Sequence, residues 1–340
     1  MSLALHIQNP GLFTTVQDLG RNGYRRNGLP AAGAMDRYAL AVANLLVGNP
    51  MDAAGLECTL LGPTVVFKGT GIVAITGGDL GATHNGRPVA PWTSFTVKDG
   101  DLLAFAAPSS GCRAYLAVAG GLDLPEVLGG RSTYLRGAVG GLEGRALQKG
   151  DRLSSNPTSS GWRWTGTLPT EWQPEANAVA RVTLGPQDDY FTPETIAEFF
   201  TADFEVTKEA DRMGYRLAGP KLTHRDKKEI VSDGVLPGAI QIPGHGQPIV
   251  LLADAQTAGG YPKIAAVIEP DLPVFAQARP GDHIRFAHIS LDDAVVAMRQ
   301  QAQRLQAIEA WLQMQRPAPV RRMIVTVQGK RYEVAVQEQQ

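Results

Sequence analysis

Cysteine is nearly absent from this chain, with only Cys58 and Cys112 among 340 residues. At most one bridge could form, which excludes a disulfide-stapled scaffold. Each thiol sits in an apolar-rich stretch (56–61 and 111–118), where a buried, reduced side chain is expected. No charge of one sign dominates: 32 Lys and Arg nearly cancel 33 Asp and Glu. There is accordingly no overall field to attract nucleic acid or an anionic membrane. No apolar run approaches the length of a bilayer span, and Asn9-Pro10 interrupts the first stretch before a leader-like core can form. Apolar residues make up 44% and charged residues 19%, a globular balance that excludes disorder. A protein of the reducing cytoplasm is the expectation.

Several catalytic signatures are also missing. There is no Walker-type phosphate loop and no GxGxxG after a strand, so nucleotide binding by this chain alone is not expected. The histidines (His6, His84, His224, His245, His283 and His288) show neither HExxH nor HxH spacing, and no metal is expected. No GxSxG elbow announces a hydrolytic nucleophile.

What is abundant is punctuation: 38 Gly and 23 Pro divide short β-rich runs. Thr64 to Phe67, Ile72 to Ile75, Ser94 to Val97, Leu102 to Phe105 and Tyr115 to Val118 read as strands of a barrel or sandwich. Helices are few. Asp36 is a candidate N-cap for a helix through Leu46, Thr192-Pro193-Glu194 opens a short one, and Ser290 with Asp293 opens a longer one. The long helix carries an apolar stripe of Val295, Met298, Ala302, Leu305, Ile308, Trp311 and Leu312, read as packing or interface.

An internal echo organises the chain. Leu60-Leu61-Gly62-Pro63 recurs as Leu217-Ala218-Gly219-Pro220, and Asp99-Gly100-Asp101 recurs as Pro280-Gly281-Asp282. A third Gly-Asp turn stands at Gly150-Asp151. Matches in the same order predict two related β lobes. The expected units are a first lobe over 1–160, a second over 178–290, a helix over 291–316 and a hairpin tail over 323–340. The Ser-rich stretch from Ser154 to Ala178 is read as the linker, a long surface loop being the alternative.

Three polar clusters are framed by glycines that let a ligand approach backbone. They are Thr15 to Arg21, Gly28 to Asp36, and Gly238 to Pro248 leading into Asp254, Gln256, Thr257 and Tyr261. Amide, carboxylate and guanidinium groups in such surroundings suit a urea or lactam, whose donors and acceptors point in fixed directions. Each residue also has a plainer reading. Asp36 can simply cap its helix, Gln17-Asp18 can end a strand, and His245 between two glycines can be an ordinary loop residue. Gln241, flanked by Ile240 and Ile242, must find a partner or serve a site.

These clusters resemble one family. Thr-x-Gln-Asp-x-Gly-Arg-x-Gly at 15–23, Gly-x-Pro-x-x-Gly-Ala-Met-Asp at 28–36 and Ile-Gln-x-Pro-x-x-Gly-x-Pro-Ile at 240–249, with Gly-Gly-Tyr261, are similar to biotin-dependent carboxyltransferases, also called allophanate hydrolase subunit 2. Glu57-x-x-Leu60-x-Gly-Pro63 and Asp211 to Leu217 fit as well. The family includes the C-type subunit of 5-oxoprolinase, the Kip antagonist protein and part of the carboxyltransferase domain of urea carboxylase. The resemblance implies a mainly β fold with a few helices: two cyclophilin-like β-barrel lobes, then the C-terminal helix and hairpin tail. It implies a partner of the 5-oxoprolinase B type, similar to the Kip inhibitor. An A-type partner joins them for cleavage of 5-oxoproline to L-glutamate, with ATP used at the level of the assembled complex. The urea-type members imply carboxyl transfer from carboxybiotin delivered by a separate carrier, and the Kip antagonist implies a non-catalytic binder of a kinase inhibitor. On this reading Asp36, Gln241 and Asp254 are the catalytic candidates, and Gln17, Arg21, Met35, His245, Gln256 and Tyr261 the substrate-binding ones. The 323–336 hairpin resembles the opening of a biotinyl carrier domain, without a Met-Lys-Met motif after it.

Overall fold

In the strand Thr64–Lys68, Val65 and Phe67 are fully buried while their neighbours are not, the period of two that a half-buried strand requires. That alternation, repeated along the chain, builds a mainly β molecule with four α-helices among the described residues. A computed structural model describes residues 2–158, 162, 164–315 and 321–336. Of the expected linker, 159–161 and 163 lie outside the described residues, as do 1, 316 and 337–340 of the expected units.

The first lobe consists of two six-stranded sheets. One runs Arg152–Ser154, Ala4–Asn9, Thr64–Lys68, Leu102–Ala104, Thr83–His84, Arg87–Pro88. The other runs Gly166–Thr167, Thr93–Val97, Gly71–Asp79, Ser110–Val118, Gly55–Thr59, Phe13–Gln17. The core between them includes Leu5, Leu56, Val65, Phe67, Val73 and Leu116. The second lobe is a closed seven-stranded barrel, sealed where His283–His288 pairs in parallel with Val179–Leu184. An aromatic core of Phe199, Phe204, Phe275 and Phe286 fills it.

The internal echo has a structural cause. At all three Gly-Asp turns the glycine takes a left-handed φ, +84° at Gly100, +95° at Gly150 and +92° at Gly281. Each aspartate then accepts a hydrogen bond from the backbone N–H three residues earlier: Lys98 at 2.8 Å, Gln148 at 2.7 Å and Arg279 at 2.8 Å. Glycine supplies the φ and the carboxylate closes the turn, so the pair recurs wherever the fold needs that corner.

Helix α1 (Arg37–Leu46) is capped by Asp36, whose Oδ1 accepts from Ala39 N at 2.9 Å. It is buried from Tyr38 to Leu46, where the Asn44 amide donates to Ala53 O at 2.7 Å. Helix α2 (Pro193–Thr201) is capped by Thr192 and closes one side of the barrel core. Helix α3 (Leu272–Gln277) follows the barrel strand Lys263–Val267. Helix α4 (Leu291–Met314), capped by Ser290, works as a strap. Its first turns pack Ala294 and Ala297 on Ile268 of the second lobe, and its last turns pack Ile308 and Leu312 against α1 in the first.

Two expectations change in detail. Val295 and Met298 of the apolar stripe are exposed, because the small faces of Ala294 and Ala297 let α4 lie close to the barrel and turn the larger residues outward. The Ser154 to Ala178 stretch is mostly built into the first lobe. Gly166–Thr167 pairs with Thr93–Ser94, and the Trp162 indole donates to Leu46 O at 3.1 Å. The strands Arg321–Val327 and Lys330–Val336 form the expected hairpin. No helix among the described residues is long and apolar enough to cross a membrane.

Candidate active site

The loop before α1 crosses from one lobe into the other. Gly33 takes a φ of +89° where a Cβ would meet the backbone of Gly20 at 2.8 Å, so only glycine lets the two loops touch. Two residues on, Met35 is buried in the hydrophobic cluster of the second lobe. Its backbone N–H donates to Glu57 Oε2 at 2.8 Å. The polar chemistry of the molecule gathers around this crossing.

Arg212 is the hub. Its Nη1 donates to Glu57 Oε1 at 2.6 Å and its Nη2 to Gly33 O at 2.7 Å. Nε and Nη2 hold both oxygens of Asp254 at 2.9 Å each. Glu57 is completely buried, and its Oε2 also accepts from Tyr115 Oη at 2.8 Å. Burial alone would push the Glu57 carboxyl up. Arg212 and Arg113, with the Met35 N–H and Tyr115 hydroxyl, outweigh it and hold the group below its usual range. Burial would likewise weaken the Arg212 guanidinium, but Glu57 and Asp254 keep it charged. A bidentate arginine between two desolvated carboxylates is the arrangement in which buried charges are tolerated.

Arg113 continues the network. Its Nη1 donates to Tyr215 Oη at 2.8 Å and to Ala276 O at 2.7 Å, while Nε lies 3.8 Å from Glu57. Beside it is Asp36. Burial pushes this carboxyl above its usual range, and hydrogen bonds from Ala39 N–H and the Gln277 amide only partly offset the effect. Asp36 and Gln277 line a cleft of about 1140 Å³ that runs between the lobes, with Trp92, Gly78 and Gly111 among its other walls. Among the described residues, no lysine or arginine lines that cleft, whereas Asp79, Glu175, Asp271 and Asp282 do. A second, apolar pocket of about 290 Å³ lies between Ala31, Met35 and Tyr38 of the first lobe and Leu236 and Leu252 of the second.

The candidates named from sequence separate into groups. Met35 and Asp254 are joined through Glu57 and Arg212, and Asp36 reaches the same network by its N–H donating to Tyr115 Oη at 2.7 Å. Arg21 is fully buried; its Nη2 donates to Ser132 O at 2.5 Å and Nε to Val127 O at 3.3 Å. Its charge lies within electrostatic reach of Asp254, although burial weakens it. The Gln256 backbone O faces Arg25 Nη2 at 3.5 Å across the seam. Gln241 is buried and donates to Tyr261 O at 3.3 Å, which ties those two together inside the second lobe. Gln17 is built into the first lobe, donating to Thr15 Oγ1 at 3.0 Å and Thr133 O at 3.2 Å. His245 is exposed, with Nδ1 3.1 Å from the Gln247 N–H. Both cysteines are buried and free, and burial raises the Cys58 thiol to about 12, far from thiolate chemistry at neutral pH.

Glu57, Arg113, Arg212, Tyr115 and Gln277 are not among the site residues named from sequence. A carboxylate in Gly55–Thr59 and a guanidinium in Ser110–Val118 are charges inside otherwise buried strands, and that is a usable signal. Gln277, at the end of an ordinary short helix, offers none.

Fold and seam together define a two-lobed β protein whose polar chemistry lies where the lobes meet. The family described as carboxyltransferase domain, subdomain A and B, matches residues 27–288. The chain belongs to this family, the biotin-dependent carboxyltransferase or allophanate hydrolase subunit 2 group. It is 42% identical over 310 residues to the C-type subunit of Escherichia coli K12 5-oxoprolinase, covering 90% of this chain and 98% of that protein. It is 38% identical over 311 residues to the urea amidolyase of Lachancea kluyveri, covering 84% of this chain and 17% of that protein. The crystal structure of Kluyveromyces lactis urea carboxylase superimposes with a TM-score of 0.85 at 33% identity, over 90% of this chain and 29% of that one.

Proposed function

We propose that this chain is the C-type subunit of a 5-oxoprolinase. It would work in the cytoplasm with A-type and B-type partners to open 5-oxoproline to L-glutamate at the expense of ATP. One observation carries the reading: similarity to the C-type subunit of a 5-oxoprolinase extends over 98% of that protein, against 17% of a urea amidolyase. The seam supports the chemistry. A carboxyl whose ionisation is pushed up by burial holds its proton to higher pH than an ordinary aspartate, can donate to an amide oxygen and, once ionised, can accept the amide proton. On this reading Asp36 in the cleft has that role, and Asp254, with Met35, shapes the neighbouring wall of the seam. A cleft lined, among the described residues, by several carboxylates and by neither lysine nor arginine is ill suited to triphosphate, so on this reading ATP belongs to another member of the assembly.

A second reading, carboxyl transfer from carboxybiotin to urea or a similar amide, is favoured by the family's description and by carboxylate and amide groups in the cleft, Asp36 and Gln277 among them, that could pair with a planar amide. One experiment separates the two. The chain is co-purified with its A-type and B-type partners and given 5-oxoproline and ATP, and in parallel urea with a biotin carboxylase, a biotinylated carrier, bicarbonate and ATP. Glutamate release that needs all three proteins supports the first reading. Carboxylation of urea without glutamate release replaces it with the second.

A further inference from the structure

Gln277 ends α3 in the second lobe, yet every hydrogen bond its side chain makes is to the first. Nε2 donates to Asp36 Oδ2 at 3.0 Å. Oε1 accepts from the backbone N–H groups of Cys112 at 3.2 Å and Arg113 at 3.1 Å. The space it occupies is kept open by glycine. A Cβ at Gly111 would stand 2.7 Å from Oε1, and one at Gly78 would stand 3.0 Å away. The preceding residue adds a parallel tie, Ala276 O accepting from Arg113 Nη1 at 2.7 Å. The amide is therefore a two-ended bridge, gripping a strand of one lobe while touching the cleft carboxylate, and both ends are lost together if α3 lifts away.

We propose that Gln277 is the positioning residue of the cleft, coupling the docking of the second lobe on the first to the hydrogen bonding of Asp36. The inference rests on the reading of Asp36 as the proton-transferring group. With the lobes docked, the amide N–H stabilises the carboxylate form; with α3 displaced, the Asp36 carboxyl keeps the Ala39 N–H but loses the Gln277 donor while remaining buried. The other groups facing Asp36 are Glu57 from Gly55–Thr59, Arg113 and Tyr115 from Ser110–Val118, and Tyr38 from its own helix. All four belong to the first lobe, and although Arg113 also loses Ala276 O when α3 moves, Gln277 is the second-lobe group that bonds the Asp36 carboxylate itself.

Gln277→Met tests this directly, because it is close in length and removes the donor to Asp36 without adding a charge that would itself move the Asp36 midpoint. Gln277→Leu, also uncharged, is the second variant should the first fold poorly. The Asp36 carboxyl is followed in the isolated chain by carbon-13 NMR of labelled aspartate, assigned by its loss in Asp36→Asn. The proposal expects its midpoint to move up by about 1 pH unit or more in either variant, consistent with losing one hydrogen bond to the charged form. The acidic limb of the pH profile of kcat/KM in the assembled complex should move with it. A purely structural role for Gln277 predicts an unchanged midpoint in a folded Gln277→Met or Gln277→Leu chain, and that result overturns the proposal. A wild-type complex that releases no glutamate removes the 5-oxoprolinase reading, while the carboxyl titration still decides the role of Gln277.

Discussion

Arg212 joins the lobes at the level of single atoms, and its removal should show how costly an unpaired buried charge is. Arg212→Ala strands Glu57 and Asp254 away from water with no guanidinium between them, and should lower stability by about 3–5 kcal/mol in urea denaturation. A loss below about 1 kcal/mol would mean the network is solvated and peripheral. Asp36 and Glu57 should also titrate stability in opposite senses. Glu57 is held below its usual range, so its contribution is present at neutral pH and fades as pH falls through its folded value. Asp36 is held above its usual range, so its contribution is present at low pH and fades as pH rises through the raised value. Asp36→Asn keeps a helix cap but cannot ionise. Its stability relative to wild type should therefore improve steadily from the ordinary aspartate range upward. A pH-independent difference would show that Asp36 ionises as readily folded as unfolded.

Among elements, α4 makes the most local prediction. Ile308 is fully buried against α1, and Trp311 stands edge-on to Trp164 and Trp172 at 5.5 and 5.2 Å. Ile308→Ala should cost about 2–5 kcal/mol and speed amide exchange across the last three turns of the helix. Unchanged exchange there would mean the strap is held by other contacts. The elements are the most legible part of the sequence, for a local reason. Asp36, Thr192 and Ser290 cap helices through atoms three residues away, and the Gly-Asp corners close within four residues, so both fit inside a short window of chain. The packing side of α4 is less legible, because alanines rather than its larger residues face the barrel.

At the scale of the whole molecule, two β lobes are legible because the corners repeat in order, and the family is legible because its glycine-framed motifs are long. The seam is not. Glu57 meets Arg212 across 155 residues, and Asp36 meets Gln277 across 241. Pairings of that separation exist only once both lobes have formed and docked, so no window of sequence contains them. The motif residues Gln17 and Gln241, prominent in the sequence, bond within their own lobes. Of the groups that join the lobes, Asp36 and Asp254 stand out as candidates and Glu57 and Arg212 fall in the family's motifs, whereas Gln277 reads as an ordinary helix position.

Turnover in the cleft between the lobes is expected to depend on Asp36. ATP-dependent glutamate release from 5-oxoproline, measured for complexes assembled with wild-type and Asp36→Asn chains, tests it most directly. The account predicts release by the wild-type complex and a loss of at least about 100-fold in kcat for a variant complex that assembles normally, the scale of one general acid–base group. Equal rates in the two complexes would contradict it.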